Sequence, residues 1–280
     1  MSPPVVMPLR PSKLADLFPV KKPIIGVIHL APLPGAPFYK GQPLREIYDA
    51  AVQDARVLAE GGIDGIMIEN AGDMPFSRPE DIGFETVAFL TAACEAVRAA
   101  VATPIGITCV ANGAIPGLAV AKAVDAKWVR VNQWANAYIA NEGFLNGEAS
   151  RALRYRANID AHDIAILADV HVKFGAHQIT ADRSITEQAT DAEWFGADVL
   201  IATGTRTGSP TQPEEVDEVR AGTHLPVIVG SGLSPAQVPA LMAAADGAIV
   251  GQWLKIEERW WNRIDPHRVE QLMTAVAKVR

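Results

Sequence analysis

The chain contains only two cysteines in 280 residues, Cys94 and Cys109, and their spacing matches neither a disulfide framework nor a paired metal-ligand motif. Unpaired thiols suit a reducing compartment, so the sequence favours a cytoplasmic location. No apolar run approaches the roughly 20 residues that cross a bilayer, and prolines interrupt the N-terminal segment that a signal peptide would occupy. We therefore expect no transmembrane segment.

Basic clusters are also missing. The formal net charge is -7, and the lysines and arginines are scattered, which leaves no track for a phosphodiester backbone. A nucleic-acid partner is therefore not expected. Hydrophobic residues, in contrast, make up 49% of the chain, which is enough for a sizeable core.

Eight short apolar runs rich in Val and Ile alternate with segments of helical period. The first six runs lack a clean alternation of apolar and polar residues, which is typical of parallel strands buried on both faces. The predicted strands are Ile24–Leu30, Gly65–Glu69, Ile105–Cys109, Trp128–Asn132, Ile164–Val170, Asp198–Thr203, Val227–Gly230 and Ala248–Gly251.

Helices are predicted between and after these strands. They are Leu44–Gly61, Thr86–Val101, Ala114–Val124, Glu148–Ile159, Ile185–Phe195, Glu214–Ala221, Pro235–Ala245 and Pro266–Val279. Eight strands and eight helices in about 250 residues predict an α/β fold of the (β/α)8 TIM-barrel type. We expect a single barrel domain at residues 23–280, preceded by an arm and a short helix in residues 1–22. A doubly wound sheet is the alternative, although it usually carries fewer units.

The last two predicted strands run into glycines: Gly230-Ser231-Gly232 follows the seventh strand and Gly251 ends the eighth. In TIM barrels the loops after these two strands frequently hold a phosphate. Glycine lets backbone N–H groups approach the anion, and a helix N-terminus adds a positive partial charge. We predict that these four residues bind a phosphorylated small molecule. A tight turn without a ligand is the alternative.

Three ionisable residues, Asp169, His171 and Lys173, alternate at the end of the fifth predicted strand. Residues two apart in a strand point the same way, roughly 6.5 Å apart along its axis. Since TIM-barrel chemistry takes place at the C-terminal ends of strands, the trio is predicted to serve proton transfer, metal ligation or charge stabilisation. The alternative is an outward set that pairs with a helix. Lys173 could instead form a Schiff base, if burial lowers its pKa.

Three other strand ends supply candidate site residues. His29 lies near the end of the first strand, Glu69 and Asn70 end the second, and Arg130 and Asn132 share one side of the fourth. His29 and Glu69 are candidate acid–base groups, since a buried carboxyl needs a partner or a raised pKa. The other three are candidate substrate ligands, and Arg130 could equally neutralise Glu69.

A divalent metal is the one cofactor that these residue types suggest. Glu69 and Asp169 offer carboxylate oxygens, and His171 and His29 offer imidazole nitrogens. A divalent ion that accepts both oxygen and nitrogen ligands could use them. They come from three separate strands, so no ligand spacing supports the metal, and the sequence leaves this question open.

The segment Thr203-Gly204-Thr205-Arg206-Thr207-Gly208 is rich in glycine but matches neither the P-loop nor the dinucleotide fingerprint. We predict that Thr203 and Gly204 contact the substrate and that the segment closes over it as a mobile loop. An ordinary loop is the alternative.

Three tryptophans, Trp253, Trp260 and Trp261, follow the last strand. Tryptophan is enriched at the centres of interfaces, so they predict a homo-oligomer, most simply a two-fold dimer. The alternative is that they cover the barrel's own helices.

Several motifs occur in this chain in one order. They are Ile28-His29-Leu30-x-Pro32-Leu33-Pro34-Gly35-x-Pro37, Glu69-Asn70 with Asp73-x-Pro75, Arg130-Val131-Asn132, Leu153-Arg154-Tyr155-Arg156, Ala168-Asp169-Val170-His171-Val172-Lys173, Gly230-Ser231-Gly232 and Gly247–Gly251. Together they resemble the BtpA/SgcQ family over roughly Pro23 to the C-terminus. The resemblance implies a TIM barrel. The family is best known for cyanobacterial members needed for photosystem I accumulation, with others in sugar-utilisation gene clusters.

The chain departs from the family pattern at three places. It has Ala111-Asn112-Gly113 where the family usually has an Asn-Asp pair, so the aspartate is missing. Phe174 stands where histidine is common, with His177 a little further on, and Gln133-Trp134 is bulkier than the family pattern. These differences suggest a subfamily with a different substrate.

Two functions are consistent with the sequence. The first is an enzyme that acts on a phosphorylated sugar or nucleotide-like molecule by acid–base isomerase, epimerase or lyase chemistry. The second is a non-catalytic assembly or stability factor, as the photosystem I members of the family suggest. Ionisable residues at the strand ends favour the enzyme, whereas an exposed apolar patch around Trp260 and Trp261 would favour the assembly factor.

Overall fold

The structure is a computed structural model that describes residues 8–9, 11–204 and 211–280. In chain order its strands are β1 (Ile24–His29), β2 (Gly65–Glu69), β3 (Ile105–Thr108), β4 (Trp128–Val131), β5 (Ala137–Ala140), β6 (Gly143–Asn146), β7 (Ala165–Val170), β8 (Val199–Ala202), β9 (Val227–Val229) and β10 (Ala248–Val250). Eight of them pair in parallel in the order β1-β2-β3-β4-β7-β8-β9-β10, and β10 closes the barrel against β1. The predicted TIM barrel is confirmed.

The helices follow the strands as expected for βα units. They are α1 (Lys13–Leu17), α2 (Leu44–Glu60), α3 (Phe84–Ala100), α4 (Ala114–Ala123), α5 (Ala149–Asn158), α6 (Ile185–Trp194), α7 (Pro213–Ala221), α8 (Val238–Ala244) and α9 (Pro266–Val276). Within the described ranges, no helix is long and apolar enough to cross a bilayer.

The two-residue period of the strands divides their side chains into two cores. Residues such as Ile24, Ile66 and Ile107 face outward and pack against the helices in the larger core. The alternate residues, including Val27, Met67, Trp128, Leu167, Ile201, Ile228 and Ile249, fill the barrel interior. Continuing the same period, Glu69, Arg130 and Asp169 form a polar layer above this apolar interior, at the C-terminal ends of the strands.

Helix α1 closes the N-terminal end of the barrel. Ser12 caps it by accepting a hydrogen bond from the backbone N–H of Ala15, and Leu14 and Phe18 join the interior core. The Phe18 ring lies 5.4 Å from that of Trp128, centroid to centroid. This short helix therefore packs as part of the barrel core. The boundary between residues 22 and 23, at which the sequence was divided into an arm and a barrel domain, stays a prediction.

Two local features differ from the expectation. Helix α8 begins at Val238 rather than Pro235, and residues 235–237 form a turn before it, in which the side chain of Gln237 accepts hydrogen bonds from the backbone N–H and the hydroxyl of Ser234. The second difference is an antiparallel hairpin, β5–β6, between β4 and α5. Each strand buries one side chain, Tyr138 in β5 and Leu145 in β6, and its neighbours are more exposed. Aromatic and β-branched residues on both sides of a turn that ends at Gly143 are the sequence signal that could have identified the hairpin.

Candidate active site

A cavity of about 640 Å³ opens at the C-terminal end of the barrel, where TIM-barrel sites lie. Its floor includes Val27 and Ile249 of the barrel interior. Its walls come from the loops after β7, β9 and β10 and from the β5–β6 hairpin. Two backbone hydrogen bonds between Ile139 and Ala176 join the hairpin to the loop after β7, and they fix the position of this wall.

Eight of the fourteen predicted site residues line the cavity. They are Glu69, Arg130, Asn132, Lys173, Gly230, Ser231, Gly232 and Gly251. The other six have different positions, which are described in turn below.

Asp169 lies beneath the cavity and is held by Arg130. Nε and Nη2 of the guanidinium donate to the two carboxylate oxygens at 2.9 and 3.0 Å, and Nδ2 of Asn132 donates to one of them at 3.1 Å. Both side chains are almost fully buried, with 6% and 0% exposed. The sequence predicts proton transfer by Asp169, but a carboxylate engaged by three donors acts here as the counterion of Arg130.

His171 is not brought into the cavity. Strand β7 ends at Val170, and His171 has a positive φ of 54°, so the alternation on which the predicted trio depended stops before it. Its ring instead stacks on His177 at 3.8 Å between centroids, and His177 stacks on Tyr138. Burial and the neighbouring His177 lower the pKa of His171 to about 4, so the imidazole is neutral at pH 7.

Lys173, in contrast, lies in the cavity wall. Its backbone N–H donates to Thr203 at 3.0 Å, whereas its ammonium has no hydrogen bond or ion pair with any described residue. Burial, and next the nearby charge of Arg130, lower the pKa of Lys173 to about 8. A measurable fraction of this side chain is therefore a neutral amine at physiological pH.

Glu69 lines the same cavity, and its carboxyl group has no hydrogen bond among the described residues. Burial raises its pKa, and the opposite effect of Arg130 and Lys173 is smaller. A carboxyl with a raised pKa next to an amine with a lowered pKa is the arrangement that acid–base catalysis requires.

His29 lies at the edge of the site. Its Nδ1 is 2.9 Å from the carbonyl oxygen of Trp260, and because a carbonyl only accepts, Nδ1 carries the proton. Burial, and then the charge of Lys255, lower its pKa to about 3. Gly251 gives the ring room, since a Cβ there would lie 3.1 Å from Cε1 of His29. His29 lines a second cavity of about 350 Å³, together with Trp260 and Trp261.

The remaining three predicted residues hold backbone segments. Asn70 binds the backbone N–H of Val110 through its side-chain oxygen and donates to Asp73. The hydroxyl of Thr203 accepts from Lys173, and the N–H of Gly204 donates to Glu215. These residues support the site without lining the cavity. The rest of the predicted mobile loop, residues 205–208, lies outside the described residues.

The glycine loops after β9 and β10 present unused backbone donors. The N–H groups of Ser231, Gly232 and Gly251 make no hydrogen bond within the described part of the chain, whereas that of Gly230 donates to Ala202. Gly232 has a φ of 75°, which favours glycine. At Gly230 glycine is favoured by packing instead, because a Cβ there would lie 2.4 Å from the side chain of Ile201.

Sequence reasoning missed two polar groups of the site. Tyr138 reaches the cavity from the hairpin, and its hydroxyl has no partner among the described residues. Thr108 lies on β3 between Glu69 and Arg130 in the strand register, and its buried hydroxyl has no hydrogen-bond partner in the described part of the chain. The period of the strands could have indicated Thr108, because it is two residues after Gly106 in the same apolar run.

No group of three His, Cys, Asp or Glu side chains that could hold a metal is found in the described ranges. Asp169 is engaged by Arg130, and Nδ1 of His29 by a carbonyl. The four candidate metal ligands are therefore not assembled into one site.

The family profile that matches this chain covers residues 20–278 and is that of the BtpA family. The chain belongs to the BtpA family. A relative from Pyrococcus horikoshii, described only as an uncharacterised protein, is 36% identical over 259 residues, which is 92% of this chain and 97% of the relative. The photosystem I biogenesis protein BtpA of Synechocystis is 36% identical over 267 residues, which is 95% of this chain and 91% of that protein.

Among solved structures, tryptophan synthase of Mycobacterium tuberculosis is similar with a TM-score of 0.59 and 18% identity, covering 91% of this chain and 93% of that one. At this identity the likeness shows the fold alone.

The departures of this BtpA-family chain from the family pattern have structural consequences. Asn112 has a positive φ of 55°, and its side chain bridges the backbone of Gln133 and Asn146. Trp134 is buried and donates to the carbonyl oxygen of Phe195, so its bulk packs in the helical layer. Phe174 lines the cavity.

We predict that Asp169→Asn destabilises the protein by about 3–5 kcal/mol, because Arg130 is left as a buried charge without its counterion. Urea denaturation measures the effect. The matched control is Asp49→Asn, which breaks the exposed pair with Arg45 (85% and 53% of the side chains exposed) and should cost less than about 1 kcal/mol. Equal losses in the two variants would contradict the role assigned to Asp169.

We also predict that stability depends on pH through Lys255. This side chain is fully buried, its ammonium has no hydrogen bond to any described residue, and a carboxylate oxygen of Asp54 lies 3.8 Å away. Burial lowers its pKa from 10.5 to about 8. Between these two values the unfolded chain binds more protons than the folded one, so stability rises with pH, by roughly 3 kcal/mol in all.

Lys255→Met should therefore be more stable than the parent at pH 7, and its advantage should shrink as the pH rises from 8 to 10. Urea denaturation at a series of pH values measures this difference, with the exposed Lys40→Met as the control. A difference between Lys255→Met and the parent that is constant over this range would show that Lys255 titrates normally.

Proposed function

We propose that this chain is an enzyme that binds a phosphorylated small molecule in the cavity and transforms it by acid–base isomerase, epimerase or lyase chemistry. The observation that carries the proposal is that one cavity combines backbone N–H donors on the glycine loops with the ammonium of Lys173 and the carboxyl group of Glu69. None of these groups is hydrogen-bonded to a residue that the structure describes. A sugar phosphate fits a cavity of about 640 Å³, and so does a nucleotide-like molecule.

The anion site of this proposal is formed by the loops after β9 and β10. The unused N–H groups of Ser231, Gly232 and Gly251 are the donors that would bind phosphate oxygens. Helix α8 begins six residues after Gly232, so the loop amides rather than the helix N-terminus are the main donors. Lys173 adds a positive charge in the same cavity.

The acid–base groups of this proposal are Glu69 and Lys173, with Tyr138 as a further proton donor. Glu69 in its protonated form can give a proton to a developing oxyanion, and neutral Lys173 can remove one from carbon or oxygen. Asp169 and Asn132 position Arg130, which faces the cavity as a fixed positive charge. His29 and His171 are both neutral and have no part in the proposed proton transfer.

The test uses Gly232→Val and inorganic phosphate or glycerol 3-phosphate, with calorimetry as the measurement. We expect the parent to bind and the variant to bind at least about tenfold more weakly, because a side chain at a φ of 75° distorts the loop and its Cβ crowds the anion.

Gly41→Val is the matched control. Gly41 has a φ of 81°, and no atom lies within 4 Å of the position that a Cβ would take there, so the variant carries similar backbone strain away from the cavity. It should retain phosphate binding. Absence of phosphate binding in the parent, or equal binding by all three proteins, would refute the anion site and favour the non-catalytic assembly factor.

We further propose that the chain forms a dimer in the cytoplasm. Trp261 is 62% exposed and Phe38 is 56% exposed, and both line the second cavity. Trp253 is different, since it lines the site cavity and lies under the guanidinium of Arg268. An exposed aromatic patch of this kind favours contact with another protein surface, and a second copy is the simplest partner.

Light scattering at micromolar concentration should give twice the mass of one chain, and Trp261→Glu should reduce it to the mass of a monomer. Phe84→Glu is the control, since Phe84 is 94% exposed and does not line that cavity. A monomeric parent would contradict the proposed dimer.

A further inference from the structure

Two lysines in this chain have strongly lowered pKa values, but only one of them can reach a ligand. Lys255 is 0% exposed and does not line the site cavity. Lys173 lines that cavity, and its ammonium is uncommitted to any described residue. Lys173 is half-buried in the cavity wall, so exposure on an open surface does not explain an amine without a described partner.

The surroundings of Lys173 leave the amine free to react. Arg130, the other cation in the cavity wall, is engaged by both oxygens of Asp169, so that carboxylate does not bind Lys173. Glu69, Glu142 and Glu258 also line the cavity. Glu258 is engaged by Arg268, whereas the carboxyl group of Glu69 has no hydrogen bond to any described residue and is close enough for its charge to act on Lys173. The backbone of Lys173 is fixed by its hydrogen bond to Thr203, which holds the base of the side chain in place.

We propose that Lys173 forms an imine with the carbonyl carbon of a phosphorylated aldehyde or ketone. This inference rests on the proposed function, because the glycine loops must hold the phosphate while the carbonyl group approaches the amine.

The step balances within the site. The nitrogen of neutral Lys173 attacks the carbonyl carbon, and the carbonyl oxygen takes a proton from Glu69, which gives a carbinolamine. The nitrogen then returns one proton to Glu69, and Glu69 donates it to the hydroxyl group, which leaves as water. The carbon–oxygen double bond is replaced by a protonated carbon–nitrogen double bond, the nitrogen keeps one of its two hydrogens, and Glu69 is left as a carboxylate.

The protonated imine then attracts electrons from a neighbouring C–H or C–C bond. Loss of the C–H proton leads to isomerisation or epimerisation, and breakage of the C–C bond leads to a lyase reaction. Hydrolysis of the imine regenerates Lys173. Among the chemistries under the proposed function, the structure therefore favours those that begin at a carbonyl group.

Borohydride trapping tests the imine. The full-length protein is incubated with dihydroxyacetone phosphate or with pyridoxal 5′-phosphate and then reduced, and the adduct is located by mass spectrometry of peptides. We expect one adduct per chain at Lys173 with at least one of the two probes. Dihydroxyacetone and pyridoxal, which lack the phosphate, should label Lys173 at least about tenfold less.

Two variants provide the controls. Lys173→Met should lose the adduct, and its affinity for inorganic phosphate in calorimetry should fall less than that of Gly232→Val, because the loop N–H groups remain in place. Lys255→Met removes the other lysine with a pKa of about 8 and should label as the parent does. Labelling at Lys173 that is no faster than at the exposed Lys40 would overturn the inference, as would a lack of adduct with both probes.

The phosphate measurement distinguishes failure of the imine from failure of the proposed function. If the parent binds phosphate but gives no adduct, the imine is wrong and the proposed phosphate-dependent enzyme stands. If neither phosphate binding nor an adduct is found, both fail.

Discussion

The buried ion pair between Arg130 and Asp169 is the interaction on which the rest of the site depends. It lies where the apolar interior of the barrel ends and the polar cavity begins, and both side chains are almost fully removed from water. Two charges at that depth are tolerated because the pair is bidentate and Asn132 supplies a further donor. The pair therefore allows a polar cavity to lie directly next to the hydrophobic interior of the barrel.

The same pair determines which groups remain free. Asp169 and Arg130 bind one another, and the ammonium of Lys173 and the carboxyl group of Glu69 are left in the cavity without a hydrogen bond to any described residue. Their pKa values move toward each other for one physical reason, since burial disfavours the charged form of both. Lys173 and Glu69 are consequently the proposed acid–base pair, whereas His29 and His171 are held neutral.

The mouth of the cavity is built by elements that are not part of the barrel repeat. The β5–β6 hairpin supplies Tyr138 and is joined to the loop after β7 through backbone bonds, and Arg78 donates to its turn at Glu142. Opposite it, the glycine loops after β9 and β10 supply backbone donors. The barrel thus provides the fixed polar layer, and the loops provide the part of the surface that would select a substrate.

The barrel, its eight strands and the family could be predicted from the sequence, because strand period, helical period and motif order are local properties of the chain. The same period predicted that Arg130 and Asn132 share one side of the fourth barrel strand, and both line the cavity. It failed at His171, where a positive φ ends the alternation, and for Asp169 it could not distinguish a proton donor from a counterion. Those distinctions depend on contacts between strands distant in sequence: Arg130 reaches Asp169 across 39 positions, and His29 meets Trp260 across 231. Only the tertiary structure decides which charges pair and which stay free, because pairing is set by distance in space and by the loss of water around each group.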